Sequence, residues 1–392
     1  MLGDKRLIRT IRLRNLLSFG PESEEVELLG LNVLIGPNGC GKSNLIEAID
    51  VLRACPKDLA DPIRAGGGTG EWIWKGGAIA AEIDATVSYP MGPMPLRHYL
   101  IFGGVGQRFG LVDEVVESKL LNARDGTGAF YRYMQGNPVV RDAGGAERAL
   151  RRGDFAANQS VLSQLKDRVA YPEITYLGHE YAKIRLYRRW DTGRRSALRL
   201  PQQADMPDDF LAEDASNLGV VLENLVLRPG MRASLIEKLR EFHEPISDFS
   251  TKPDGGTLQI FLHEGGPNRR IPSTRLSDGT LRYLCLLVIL CHPAPPKLVC
   301  IEEPEIGLHP DILPTVADLL VEASQRTQLI VTTHSDALVD ALTDTPEAVL
   351  VCEKHEGSTT MRRLKTADLK DWLDTYSLGQ LWQKGELGGN RW

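Results

Sequence analysis

The run Gly36-Pro37-Asn38-Gly39-Cys40-Gly41-Lys42-Ser43 fits GxxxxGK[ST] in full. It lies between an apolar stretch, "LNVLI", and an amphipathic one, the context that gives this motif its meaning. Glycines let backbone N–H groups close around phosphate oxygens, and the start of the following helix adds partial positive charge. Lys42 would then reach the β- and γ-phosphates, and Ser43 would ligate Mg²⁺. Far downstream, "LVCIEEPEIGLHP" ends an apolar strand on two adjacent carboxylates, Glu302 and Glu303. Such a pair is costly at a strand end unless a cation or a reaction uses it. Phosphate-loop chemistry needs one acid near Mg²⁺, here Glu302, and one group to polarise the attacking water, here Glu303.

Both motifs require strands that deliver them to one rim of a sheet. "LNVLIGPNGCGKSNLIEAIDVLR" reads as strand, loop and helix, with Ile46, Ile49 and Leu52 on helical spacing. After residue 270 the alternation is clear: helix in "LSDGTLRYLCLLVIL", strand in "KLVCIEE", helix in "PDILPTVADLLVEASQR", strand in "QLIVTTHS", helix in "DALVDALT", strand in "AVLVCEK". This predicts an α/β fold, a mainly parallel sheet with helices on both faces. Residues 7–19 and 24–29 read as strands, as do "AAEIDATVSY" and "LRHYLIFGGV". Between about 110 and 270 the signals weaken, to strands at 111–118, 129–134 and 256–263 and helices near 158–168, 216–226 and 230–243. Neither an internal repeat nor a sustained heptad is present.

Together these stretches resemble the ABC-type ATPases of the SMC/RecF branch, especially the stand-alone bacterial ATPases related to the ATPase half of OLD-family proteins. "LNVLIGPNGCGKSNLIEAI" is similar to their Walker A, "LSDGTLRYL" to their signature loop, "CIEEPEIGLHP" to their Walker B and D-loop, and "VTTHS" to their H-loop. The resemblance covers roughly the first 60 residues and about 275–355. It implies a P-loop ABC-type nucleotide-binding domain with an antiparallel edge and an inserted α+β lid. The expected division is 1–90 and 271–360 for the two parts of the ATPase domain, 91–270 for a lid or partner-binding insertion, and 361–392 for a tail.

The resemblance also implies ATP as substrate, Mg²⁺ as cofactor, and residue roles. Gly36 to Ser43, with Asn44, would bind ATP. Ser277, Asp278 and Gly279 would contact the γ-phosphate held by a second protomer, so that two subunits sandwich two nucleotides. His334 would contact the γ-phosphate or the attacking water, beside the catalytic Glu303 and Lys42. His309, in "GLHP", reads as structural. Three departures stand out. Glu302 occupies a position usually filled by Asp, an exchange common in this branch. The glutamine of the Q-loop is not assignable, since Gln107 has the wrong spacing. Cys40 replaces a commoner serine, which a loop that binds through its backbone tolerates.

Bulk composition narrows the class. The chain has 392 residues, net charge −6, 42% apolar and 25% charged residues, ordinary values for a globular protein of two or three domains. No apolar run approaches the ~20 residues of a membrane helix. "MLGDKRLIRT" lacks an apolar signal core. Six scattered cysteines show no metal spacing and read as buried free thiols of a cytoplasmic protein. The run 183–199, "KIRLYRRWDTGRRSALR", interleaves basic residues with Tyr187 and Trp190, a pattern that could follow DNA or RNA or form a solvated surface. The aromatic, glycine-rich tail "YSLGQLWQKGELGGNRW" is expected to dock on the core.

The expectation is an ATP-binding, ATP-hydrolysing switch. It dimerises around two ATP molecules, with a higher oligomer open, and controls a separate effector, a nuclease or toxin of anti-phage defence. The stretch after "AVLVCEK" is short against the ~100–150 residues of a usual domain, so the effector is expected on another polypeptide. The alternative is a RecF-like DNA-binding ATPase of repair or maintenance. A transporter subunit fits "IRLRNLLSF" and "EEPEIGLHP" less well, and a non-hydrolysing scaffold does not explain the motif set.

Overall fold

The computed structural model describes residues 5–105, 108–119, 128–134, 136–150, 156, 158–265 and 269–389. Gln107 lies outside the described residues. Three sheets organise the described residues. The first is antiparallel, in the order β2-β1-β4-β5-β6-β7-β8-β9: β1 (Ile8–Arg14), β2 (Val26–Glu27), β4 (Ala80–Val87), β5 (Leu96–Val105), β6 (Arg108–Ser118), β7 (Ala129–Met134), β8 (Asn137–Arg141) and β9 (Glu147–Ala149). The second, in the order β10-β15-β16-β3-β17-β18, joins β10 (Arg185–Tyr187), β15 (Leu298–Glu302), β16 (Gln328–Thr332), β3 (Leu31–Ile35), β17 (Val349–His355) and β18 (Ser358–Arg363). The third holds β11 (Gln202–Gln203), β12 (Ile246–Asp254), β13 (Thr257–Glu264) and β14 (Arg270–Pro272).

The second sheet carries the motifs. Its strands pair in parallel except β18, which runs antiparallel to β17 at the edge. "LNVLI" and "QLIVT" are buried at every residue, as a parallel strand covered on both faces must be. Successive side chains enter different cores. Val33, Val299, Ile301, Leu329 and Val331 join one cluster with the helices Asp278–Leu290 and Leu313–Ser324. Leu34, Leu298, Cys300 and Ile330 join another with the helices Lys42–Ala54 and Pro172–Ala182 and the antiparallel sheet. Parallel pairing brings the carboxyl ends of β3, β15 and β16 to one rim, where ligands of open α/β sheets bind.

The span 91–270 supplies strands to all three sheets: β5 to β9 to the first, β10 to the second, β11 to β13 to the third. Several local expectations differ from the structure. Over 158–168 only Val161–Gln164 is helical, because the Asp167 carboxylate accepts from the N–H groups of Val169 and Ala170 (2.8 and 3.0 Å) and turns the chain there. A longer helix, Pro172–Ala182, comes next, opened by Pro172. β12 and β18 are too polar to show as strands in the sequence. β1 stops at Arg14, and the left-handed residues Asn15 and Leu17 (φ 52° and 53°) fold the chain back. The tail docks as expected: helix Leu378–Lys384 buries Leu378, Leu381 and Trp382 in the first of the two cores.

Candidate nucleotide site

The loop from Gly36 to Ser43 turns out of β3 into the helix Lys42–Ala54. Two of its glycines are sterically required. Gly36 has φ +143°, and a β-carbon there would stand 2.2 Å from the Cys352 carbonyl oxygen. Gly41 has φ +109°, and its β-carbon would stand 2.3 Å from Thr359 Oγ1. The loop is braced from behind: Thr359 Oγ1 donates to the Cys40 carbonyl (2.7 Å) and lies 2.6 Å from Ser18 Oγ. The left-handed turn after β1 sets Ser18 at this point. Asn44, expected at the nucleotide, gives its amide to Ser18 Oγ (2.6 Å).

Lys42 is 6% exposed and curls inside the loop, its Nζ donating to the Gly36 and Pro37 carbonyls at 2.7 and 3.1 Å. The ammonium also lies 3.9 Å from Cys40 Sγ. A hydrogen bond from Cys352 pulls the Cys40 thiol down to about 6, against burial and with help from the Lys42 charge.

Glu302 ends β15, and its Oε2 accepts from Ser43 Oγ at 3.0 Å. Its Oε1 lies 3.5 Å from Arg188 Nε. Burial pushes its carboxyl up, while the Ser43 hydrogen bond and the Arg188 charge pull the other way. Glu303 turns away with φ +48°, its N–H tied to the Thr332 carbonyl at 2.9 Å, and its Oε1 reaches 3.7 Å from His334 Nε2. Ser43, Glu302, Glu303 and His334 therefore meet at the rim above β3, β15 and β16. Ser43 and Glu302 offer two hard oxygen donors. Among the described residues no larger cluster of metal-ligating side chains exists. Two such oxygens suit Mg²⁺, a hard cation that draws few of its ligands from protein.

Ser277, Asp278 and Gly279 lie elsewhere. Ser277 caps the helix Asp278–Leu290, its Oγ accepting from the Thr280 N–H at 3.1 Å. A β-carbon on Gly279 would meet the Gly307 carbonyl at 2.6 Å, so the helix start packs directly on the loop after Glu303. Ser277 and Asp278 are exposed, and among the described residues no hydrogen bond or ion pair links them to the chain's own phosphate loop. His309 caps the turn Pro310–Ile312 through Nδ1, a structural role.

Three residues escaped the sequence reading. Glu305 Oε1 accepts from the His334 N–H and from Thr333 Oγ1, both at 2.7 Å, and so fixes the histidine's backbone. Its place in "EEPEIG" was the available signal. Arg188 and Arg199 lie in the basic run. Arg188 spans Glu47 (2.6 Å), Asp50 (3.3 Å) and Glu302. Tyr187 and Trp190 are core residues, 2% and 7% exposed, so the run offers no aromatic platform for bases. Past the last helix, Trp382 Nε1 donates to the Gly389 carbonyl (3.0 Å), and the Gly389 N–H donates to Glu353 (2.9 Å). A β-carbon on Gly389 would stand 3.3 Å from the Gly36 Cα.

A family model described as "AAA domain, putative AbiEii toxin, Type IV TA system" matches residues 31–83 and 138–340. No curated protein matches the chain. Among solved structures, an SMC head bound to the C-winged helix domain of ScpA aligns at 15% identity, over 92% of this chain and 99% of that one, with a TM-score of 0.58. The Pyrococcus furiosus Smc head with an extended coiled coil, bound to the C-terminal domain of ScpA, aligns at 15% identity over 94% and 98%, TM-score 0.53. The Pyrococcus yayanosii Smc head with a coiled coil and joint aligns at 11% over 94% and 99%, TM-score 0.51. At these identities the likeness is one of fold.

Proposed function

The chain belongs to this AAA-domain family and is an ATPase of the ABC/SMC type, and from that premise we propose a switch that closes as a dimer around two ATP molecules and governs a separate effector. In this reading Lys42 leaves the Gly36 and Pro37 carbonyls for the β- and γ-phosphates. The loop N–H groups and the helix start hold the remaining phosphate charge. Ser43 and Glu302 would hold Mg²⁺, which supplies neutralisation of charge on the phosphate oxygens. Glu303 takes the proton of the attacking water, and His334, fixed through Glu305, orients that water or the γ-phosphate. Ser277 to Gly279 serve the nucleotide of the partner protomer. The parts of 91–270 outside the second sheet act as the lid or docking region.

One observation carries the dimer: Ser277, at the start of its helix, is exposed and among the described residues has no bond to its own phosphate loop. A helix N-terminus presenting a serine is suited to an anion, and the chain's own site does not use it. The family description names a toxin of type IV toxin–antitoxin systems, which supports an effector-linked role and an intracellular place of action. No helix among the described residues is long and apolar enough to cross a membrane.

The test uses tagged Glu303→Gln chain purified from its native cells with ATP and Mg²⁺, with and without nuclease treatment. A dimer by light scattering and a stoichiometric protein companion that survives nuclease are expected. A monomer at saturating ATP overturns the dimer, and nucleic acid recovered without a protein companion overturns the effector reading in favour of DNA maintenance.

A further inference from the structure

Arg199 is only 9% exposed, a depth at which an arginine needs its donors satisfied. Its Nε donates to the Thr192 carbonyl at 2.7 Å, and its Nη1 to the carbonyls of Leu276 (2.6 Å) and Ser273 (3.5 Å). Its Nη2 is paired with the Asp278 carboxylate. The backbone is stitched to the same loop, for the Arg199 carbonyl accepts from Ser273 Oγ at 2.7 Å. Leu276 and Asp278 flank Ser277. The guanidinium thus holds the residue before and the residue after the exposed serine, and leaves the serine itself facing out.

The same segment begins at the chain's own site. Arg188 comes directly after β10, which pairs in parallel with β15, and its guanidinium lies among Glu47 and Asp50 of the phosphate-loop helix and Glu302. Between the two arginines, the Trp190 carbonyl accepts from Arg282 of the helix that Ser277 caps (3.5 Å). One stretch of chain is therefore fastened at one end to the acid beside the phosphate loop and at the other to the signature loop.

We propose that Arg199 is the positioning residue of the signature loop: it aims Ser277 and Gly279 at the partner's nucleotide, and the segment Arg188–Arg199 ties that aim to the chain's own phosphate-loop helix and Glu302. This rests on the reading that Ser277 acts across a dimer. A planar fork with several donors is needed to reach three carbonyls and a carboxylate at once, which a lysine ammonium cannot do.

The test is made in the full chain carrying Glu303→Gln, so that ATP persists. Two quantities are measured: the affinity of the dilute monomer for a fluorescent ATP analogue, and the ATP-dependent dimer dissociation constant by sedimentation equilibrium. Arg199→Gln is expected to weaken the dimer about tenfold or more, the scale of one lost charged hydrogen-bond set, with monomer nucleotide affinity within about twofold. Arg199→Lys, the milder variant if Arg199→Gln does not fold, is expected to weaken it about threefold. In the hydrolysing chain, Arg199→Lys activity is expected to recover as protein concentration rises, because the chemical groups are intact. A general loss of structure would lower activity equally at every concentration. An unchanged dimer constant in a folded Arg199 variant, or activity that concentration does not restore, overturns the proposal. Ser277→Arg separates the two levels. If it too leaves the dimer intact, the cross-dimer reading falls. If it abolishes the dimer while Arg199 variants do not, only the positioning role falls.

Discussion

His334 Nε2 and Glu303 Oε1 stand 3.7 Å apart, although they leave neighbouring parallel strands by different routes. In a continuing strand Glu303 would point to the face opposite Glu302. The left-handed backbone at Glu303 breaks that alternation. Its carboxylate swings to the histidine while Glu302 stays with Ser43 and Arg188. Two adjacent acids thereby face two different parts of one site.

Glu303→Gln is expected to bind ATP and to hydrolyse it at least about 100-fold more slowly, the usual scale for a removed general base. Single-turnover hydrolysis beside a nucleotide titration checks this. A rate above one-tenth of the original would show that another group takes the proton.

Lys42→Ala is expected to weaken nucleotide binding by roughly 10- to 100-fold, since a charged hydrogen bond is worth about 1.5–3 kcal/mol. The lost ammonium also takes one donor from each of the Gly36 and Pro37 carbonyls, of which Pro37 keeps the Cys40 N–H. Titration with a fluorescent ATP analogue reads the change, and an unaltered affinity would remove Lys42 from the phosphates.

Cys40, with its thiol drawn down to about 6 by Cys352 and Lys42, is expected to be a thiolate at neutral pH. Modification by a small methanethiosulfonate should rise through pH 6 rather than near the usual thiol value, with ATP slowing it and nucleotide binding falling in step. Cys40→Ser should keep nucleotide affinity within about twofold and resist the reagent. A half-rise at a pH of about 8 to 9, the range of an ordinary thiol, would contradict the shift.

His292 supplies a stability prediction. The ring is 3% exposed, its Nδ1 accepts from the Ala294 N–H (3.2 Å), and burial, with the Arg228 charge, lowers it to about 4. Above ~6.5 the ring is neutral whether the chain is folded or not. Between ~6.5 and ~4 the unfolded chain takes up a proton that the folded chain refuses, so stability is lost as pH falls. Melting temperatures of the wild type and His292→Gln, measured from about pH 7.5 to about pH 5, should converge as the solution is acidified. A pH-independent gap would contradict a neutral buried ring.

The features legible in the sequence are those with local signals. Gly36 to Ser43 and the pair Glu302–Glu303 each declare themselves within one strand and the turn after it, so fold class and rim chemistry could be read directly. Arg199 could not, because the loop it holds lies 79 positions away along the chain. In the sequence its run is a stripe of positive charge; folded, Arg188 is paired with Glu47, Asp50 and Glu302, Arg199 is buried, and Tyr187 and Trp190 are core. β12 and β18 were hidden by polar edges, and the helix Pro172–Ala182 by a preceding turn that depends on Asp167. Burial and distant pairing, not propensity, decide such elements.

The nearness of Gly389 to Gly36 has a steric consequence. The stretch after the last helix is hooked to Glu353 and Trp382, and a β-carbon at Gly389 would stand 3.3 Å from the Cα of the first residue of the phosphate loop. The room for a side chain at 389 is taken by Val351, 2.9 Å from such a β-carbon, and by Gly36. The phosphate loop thus sets which residue the far end of the sequence can carry there, and glycine, with its left-handed φ of +62°, is the one that fits.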